Sequence, residues 1–185
     1  METQKDLFGE VVKEKVRKPT RLEKSLLDYD KASFDDRLKR LNYIKKIYPD
    51  GLLLLGDMEF VFTFGEIKEC YINGHFIAVI VLTQSFIEKI FTKFFLERGF
   101  EKETNYGIDK MIKFPRKNAL IHSTILDKVD ELRLKRNPFV HSKDFEYPHS
   151  LSKRSFKNMT MPEKQLEKDA KEGIEILFFI LSNKL

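Results

Sequence analysis

A chain of 185 residues with 42% hydrophobic side chains, 34 Lys and Arg against 29 Asp and Glu, and a net charge of +5 is one domain's worth of foldable protein. Its single Cys excludes a disulfide framework and every site that needs two thiolates, zinc fingers and CxxC redox centres included, and points to a reducing compartment. Eight Gly and six Pro are too few to punctuate a many-stranded sandwich or barrel, so an all-helical domain is expected.

The N-terminus carries Glu2, Lys5, Asp6 and Glu10 with no apolar stretch between them. Residues 1–19 therefore read as a flexible tail of mixed charge rather than a secretory signal, and residues 20–185 as a single helical domain. Thr20-Arg21-Leu22-Glu23 has the capping-box form, and Ser33 is followed by Asp35 and Asp36 in what would be a first turn. These predict two helices, over 20–30 and 34–47, the second stopped by Pro49-Asp50-Gly51. Leu52 to Leu55 is too short a tract to assign by periodicity. A helical pattern runs from Met58 to Tyr71 or Ile72, and after Asn73-Gly74 a long helix continues to Gly99. Along it Phe76, Val79, Ile80, Thr83, Ile87, Ile90, Phe91 and Phe94 recur at spacings of three and four, a broad apolar arc that makes this helix the spine of the domain. The apolar window Phe76 to Leu82 is far shorter than a bilayer span, so the expectation is a soluble, cytoplasmic protein with no membrane contact.

A short helix from Tyr106 should end at Phe114, because the residue before Pro115 is biased away from helical geometry. The next begins near Leu120, carries Ile121, Ile125, Val129 and Leu132 on one stripe, and should stop near Asn137 before Pro138. Ser142 to Asn158 is polar, basic and dotted with aromatics, and exceeds an ordinary connection, which makes it either functional or mobile. Thr160-Met161-Pro162-Glu163 opens a last helix with the stripe Leu166, Ala170, Ile174, Leu177, Phe178 and Leu181. The sum is an all-α bundle of four to five helices around one core.

The sequence holds no phosphate-binding loop of the G-x-x-x-x-G-K-[ST] type, no G-x-G-x-x-G, no G-x-S-x-G and no H-E-x-x-H. His75, His122, His141 and His149 never pair at helical spacing, so neither a metal nor another cofactor is expected. The richest segment is Leu132 to His141. Arg136 follows Leu132 by four and Val129 by seven, which places it on the inward stripe at a helix C-terminus, where a guanidinium wants an anion. Asn137 and a turn through Pro138 then bring His141 back beside it, so that guanidinium, amide and imidazole reach one phosphate. Such a set suits RNA cleavage without a metal. His141 serves as general base or acid, Arg136 binds the phosphate and the charge that builds on it, and Asn137 orients one or the other. Glu88, at the edge of the spine's apolar arc, either supports this set or pairs with a lysine. Lys143, Tyr147, Lys153, Arg154 and Lys157, with Phe145 and Phe156 among them, interleave cations and rings as a single-stranded RNA contact does, or form a solvated loop. Cys70, His75, His122 and His149 default to structural or exposed roles. No helix carries a basic face with base-reading side chains at helical spacing, which disfavours DNA binding.

Arg136-x4-His141, with polar Asn137 directly after the arginine, resembles the R-x4-6-H motif of the HEPN superfamily of small helical-bundle ribonucleases and their relatives. The run ECYINGHFIAVIVLTQSFIEKIF is similar to a helix that HEPN domains carry upstream, with a Gly, small residues and an embedded Glu. RNPFVHSKDF followed by EKDAKEGIEILFFIL resembles their closing half. The likeness covers Phe34 to Leu181 and is strongest at 66–98 and 132–181. It implies a HEPN-like bundle and a homodimer whose two motifs face one another in a shared RNase cleft. It also implies a role as a toxin of a toxin–antitoxin pair or another anti-phage, abortive-infection effector in antiviral defence, with an antitoxin or defence-complex protein as partner. Lys143 stands where the subgroup silenced by a nucleotidyltransferase antitoxin has a tyrosine, which argues against that mode of control. The alternative is a catalytically inactive HEPN-like module that binds RNA, a nucleotide or a protein as scaffold or sensor. It holds if the Arg136 and His141 side chains of two subunits fail to converge on one open basic cleft.

Overall fold

Thr20 and Glu23 close the capping box that the sequence announces: the Thr20 amide donates to the Glu23 carboxylate at 2.7 Å, and the Glu23 amide to Thr20 Oγ1 at 3.3 Å. The helix they start, α1 (Arg21–Ile47), is continuous where two were expected. Ser33 does not cap a second helix, because its hydroxyl donates back to the Asp30 carbonyl inside the first. The computed structural model describes residues 17–48 and 57–183, and among them holds seven α-helices, one 3-10 turn and no strand. The architecture is therefore all-α. Most of the expected tail, the Pro49-Asp50-Gly51 stop and the Leu52 to Leu55 tract lie outside the described residues. Contacts divide the chain at Asp36 and Arg37, so α1 contributes to two units.

In the larger unit, α2 (Met58–Asn73) is capped at its start by Asp57, whose carboxylate accepts from the Phe60 amide at 2.8 Å. It ends at Gly74, which takes the left-handed φ of 82° that such a stop requires. Arg40 lies over this glycine, and its Nε donates to the Ile72 carbonyl at 2.9 Å. From there α3 (Phe76–Glu97) runs as the spine, with Val79, Ile80, Phe86, Ile87, Phe91 and Phe95 wholly buried. Each such side chain contributes about 1.5–3 kcal/mol by leaving water. It packs against α2, α5 and α7. Gly173 of α7 faces Leu132 and Thr83, where a Cβ would make ordinary van der Waals contact at 3.4 and 3.7 Å.

Two proline expectations fail. The helix α4 (Ile108–Lys117) passes through Pro115, and α5 (Ser123–Val140) passes through Pro138. Proline biases its predecessor against helix, but burial of Met111, Ile112 and Pro115 on one face of α4 outweighs that bias. In α5 the cost of Pro138 is the missing donor to the Leu134 carbonyl, and the Tyr147 hydroxyl donates to that oxygen at 3.4 Å. His122 is the N-cap of α5, its Nδ1 accepting from the Thr124 amide. The stretch 142–158 is not one long loop either. Ser150 caps a short helix, α6 (Leu151–Lys157), which packs on α7 (Pro162–Asn183). Among the described residues no helix is long and apolar enough to cross a membrane. Cys70 is half-buried, and burial pushes its thiol pKa up, in keeping with a packing role.

Candidate functional site

The last turns of α5 present two adjacent cations to opposite surroundings. The stripe Leu126, Val129, Leu132 advances in threes, and its next member is Lys135, not Arg136. Lys135 is buried, and its ammonium donates to Glu172 at 2.5 Å and pairs with Glu131 at 2.7 Å. Asp169, fully buried on α7, lies 3.8 Å away and also pairs with Arg154 of α6. Gln165 donates to the same carboxylate at 3.0 Å, and the Arg154 Nε donates to the His149 carbonyl at 3.0 Å. Burial pulls the Lys135 ammonium pKa down, but the Glu131 and Glu172 carboxylates more than restore it, leaving it above its ordinary value. This network ties α5, α6 and α7 together, and its carboxylates neutralise its cations.

Arg136 has no such company. It is half-buried, its Nε is buried with no hydrogen-bond partner, and among the described residues no carboxylate pairs with it. Its Nη1 lies 3.4 Å from His141 Nε2. Because a guanidinium only donates, any hydrogen bond between them has the imidazole nitrogen as acceptor. The contact comes about without the turn expected at Pro138: α5 continues to Val140, and the His141 amide donates to the Asn137 carbonyl at 3.0 Å.

Arg136, Asn137, His141 and Lys143 share one cleft of about 470 Å³. Its opposite wall is Asn105 to Lys110, a segment the sequence reading missed because the two walls are joined only by tertiary packing. Tyr106 of that wall is fixed by Phe114, which in turn packs on Phe95 and Phe100. Gly107 is the N-cap of α4 and offers no side chain to its amides, so a helix N-terminus opens towards the cleft. Lys110 and Arg133 add positive charge. Arg133 is partly neutralised by Asp130 at 2.7 Å and Asp109 at 4.0 Å, while the Asp109 carboxyl is held below its ordinary pKa chiefly by Lys113. The balance in the cleft is four cations and an imidazole against one carboxylate. That suits a phosphate.

A second groove of about 520 Å³ shares His141 and Lys143 with this cleft. Phe145 and Phe156 line it, 82% and 88% exposed, with the Lys153 ammonium 5.6 Å from the Phe145 ring. Such rings gain nothing from the core and offer stacking surface.

The remaining candidates are spread more widely. Lys143 sits over the Tyr147 ring at 5.6 Å, and Tyr147 is half-buried, holding the end of α5. Lys157 is exposed on α6. Arg154, expected at a surface for RNA, is instead buried against Asp169, because a guanidinium opposite a buried carboxylate is more stable there than leaving that carboxylate alone. Glu88 is not on the cleft; its carboxylate accepts from Gln84 at 3.3 Å. No group of three His, Cys, Asp or Glu among the described residues is placed to hold a metal. No protein-family model, curated protein or solved structure matches the chain.

Proposed function

We propose that the protein is a HEPN-type, metal-independent endoribonuclease that cuts single-stranded RNA at the Arg136–His141 cleft. The observation that carries this is the uncompensated Arg136 guanidinium, 3.4 Å from the His141 ring, in an open cleft with Lys110, Arg133, Lys143 and the uncapped start of α4. A guanidinium left without a carboxylate is matched to an anion that arrives from outside.

In this reaction Arg136 and the α4 amides hold the scissile phosphate, and His141 removes the proton of the adjacent 2′-OH. The freed oxygen attacks phosphorus, the bond to the 5′-oxygen breaks, and that oxygen leaves with a proton from a general acid. In a homodimer with two facing motifs, a second copy of the imidazole fills that role. Arg136 and the helix N-terminus stabilise the extra negative charge on the phosphorane oxygens. Asn137 orients His141 or a phosphate oxygen, and the groove beyond His141 stacks a base on Phe145 and Phe156. A chain of this kind serves as a toxin or anti-phage effector, restrained or triggered by a protein partner.

A catalytically silent RNA-binding module is the second reading, favoured by Phe145 and Phe156, whose exposure serves binding whether or not cleavage follows. Cleavage separates the two. Single-stranded RNA incubated with the protein in EDTA should yield 2′,3′-cyclic phosphate and 5′-OH ends, and His141→Ala should lower the rate about 10²–10⁴-fold with the helical content unchanged. Binding without cleavage by the wild type selects the silent module.

A further inference from the structure

Another groove, of about 540 Å³, lies within the larger unit between α1, α2 and α7 and shares no residue with the two at His141. That volume suits a small ligand. Along its α7 wall stand Lys164, Lys168 and Lys171, at spacings of four and three, so all three share one face. Folding gains nothing from this ladder. Like charges one turn apart repel, and Lys164 lies in the first turn of α7, where the helix dipole disfavours a cation. Nor do carboxylates offset it: among the described residues Lys164 and Lys171 pair with none, and Lys168 reaches only Glu172, at 4.0 Å. Glu167, the one carboxylate that lines the groove, lies 3.9 Å from Arg40 of α1. Setting those two against each other leaves the three lysines largely uncompensated.

The floor adds a donor. Tyr71 of α2 is 3% exposed, and among the described residues its hydroxyl makes no hydrogen bond. Burial pushes its pKa up to about 12, which keeps the proton on the oxygen, and the charges that act on it most are Glu167 and Arg40, both of the groove. A buried hydroxyl without a partner is a group that a ligand satisfies. The two rings in the groove are already engaged: the Lys171 ammonium lies 4.4 Å from the Tyr43 centroid, and Tyr71 packs against Tyr43 and Phe76. Recognition there rests on charge, not on stacking. Lysines are point charges that take a phosphate without fixing its orientation. From Lys164 to Lys171 the helix rises about 10 Å, more than one phosphate spans. Two or three linked phosphates span it and carry their charge on adjacent groups, whereas a peptide spreads single charges over as many residues.

We infer that this groove is a second anion site, which binds a polyphosphate group of two or three phosphates, free or as the tail of a nucleotide, through Lys164, Lys168, Lys171 and the Tyr71 hydroxyl. It is separate from RNA cleavage at Arg136 and His141 and holds whether or not that reaction occurs.

Calorimetric titration of the full chain with sodium tripolyphosphate in EDTA tests it. Uptake with a Kd below about 100 µM is expected, and Arg136→Ala should keep it. Lys168→Gln with Lys171→Gln should weaken it about 10–100-fold, and Tyr71→Phe, which removes only the hydroxyl, about 3–10-fold, with helicity by circular dichroism unchanged. Titration with ATP separates the two sources of phosphate: tighter binding than tripolyphosphate assigns the site to a nucleotide, and equal or weaker binding assigns it to the phosphates alone. No uptake of tripolyphosphate at millimolar concentration would overturn the inference, as would uptake that survives the double lysine variant undiminished or is lost with Arg136→Ala. Single-stranded RNA held by these lysines where tripolyphosphate is not would overturn it as well.

Discussion

Lys135 and Arg136 are neighbours on one helix, and the structure treats them oppositely. Lys135 is buried among Glu131, Asp169 and Glu172, while Arg136 faces a cleft and, among the described residues, pairs with no carboxylate. The first arrangement is what folding asks of a cation taken from water: charge partners and hydrogen bonds within the chain. The second leaves a cation without a carboxylate, as an anion-binding site does. Basic residues in this protein are therefore better sorted by their partners than by their number. Arg154 belongs with Lys135, and His141 and Lys143 belong with Arg136.

The contrast breaks most visibly at Asp169. Asp169→Ala leaves Arg154 buried without its carboxylate and should cost about 3–5 kcal/mol in urea unfolding. Replacing both partners with apolar residues of similar size should return much of that loss. A smaller effect sharpens the same point through pH. The Lys135 hydrogen bond holds the Glu131 carboxyl below its ordinary pKa, so this contribution is complete above the ordinary value and fades as pH falls through the folded one. The Lys135 ammonium titrates above its ordinary value, so its contribution is complete below that value and fades as pH rises through the folded one. Urea midpoints should thus fall at both extremes, with each limb worth less than about 1 kcal/mol because the Glu131 carboxylate is largely in water. Lys135→Met should remove the alkaline limb, whereas Arg136→Ala should leave it in place.

Much of this was legible from residue spacing. The stripe of α3, the capping box at Thr20 and the Asn73-Gly74 break are local signals, and local hydrogen bonds carry them out. The prolines misled because helix propensity is a weak term once a face is buried, and because Tyr147, thirteen residues on, supplies the donor that Pro138 removes. The inward cation was misassigned by one position: a stripe that advances in threes reaches Lys135, while one read in fours reaches Arg136. Asp169 and Arg154 could be seen as charges but not as a pair, since they meet only when α6 folds onto α7. The Asn105 to Lys110 wall likewise exists only through the packing of Phe114 between Tyr106 and Phe95. A helix N-cap glycine followed by Asp109 was its one local mark.

The central claim is that Arg136 serves a ligand and not the fold. The most direct measurement sets RNA cleavage by Arg136→Ala in EDTA beside its thermal unfolding. Cleavage should fall about 10²–10³-fold, the loss typical of one charge-stabilising donor, with the melting temperature unchanged. Full cleavage by that variant, or a loss matched by a collapse in stability, would contradict the account.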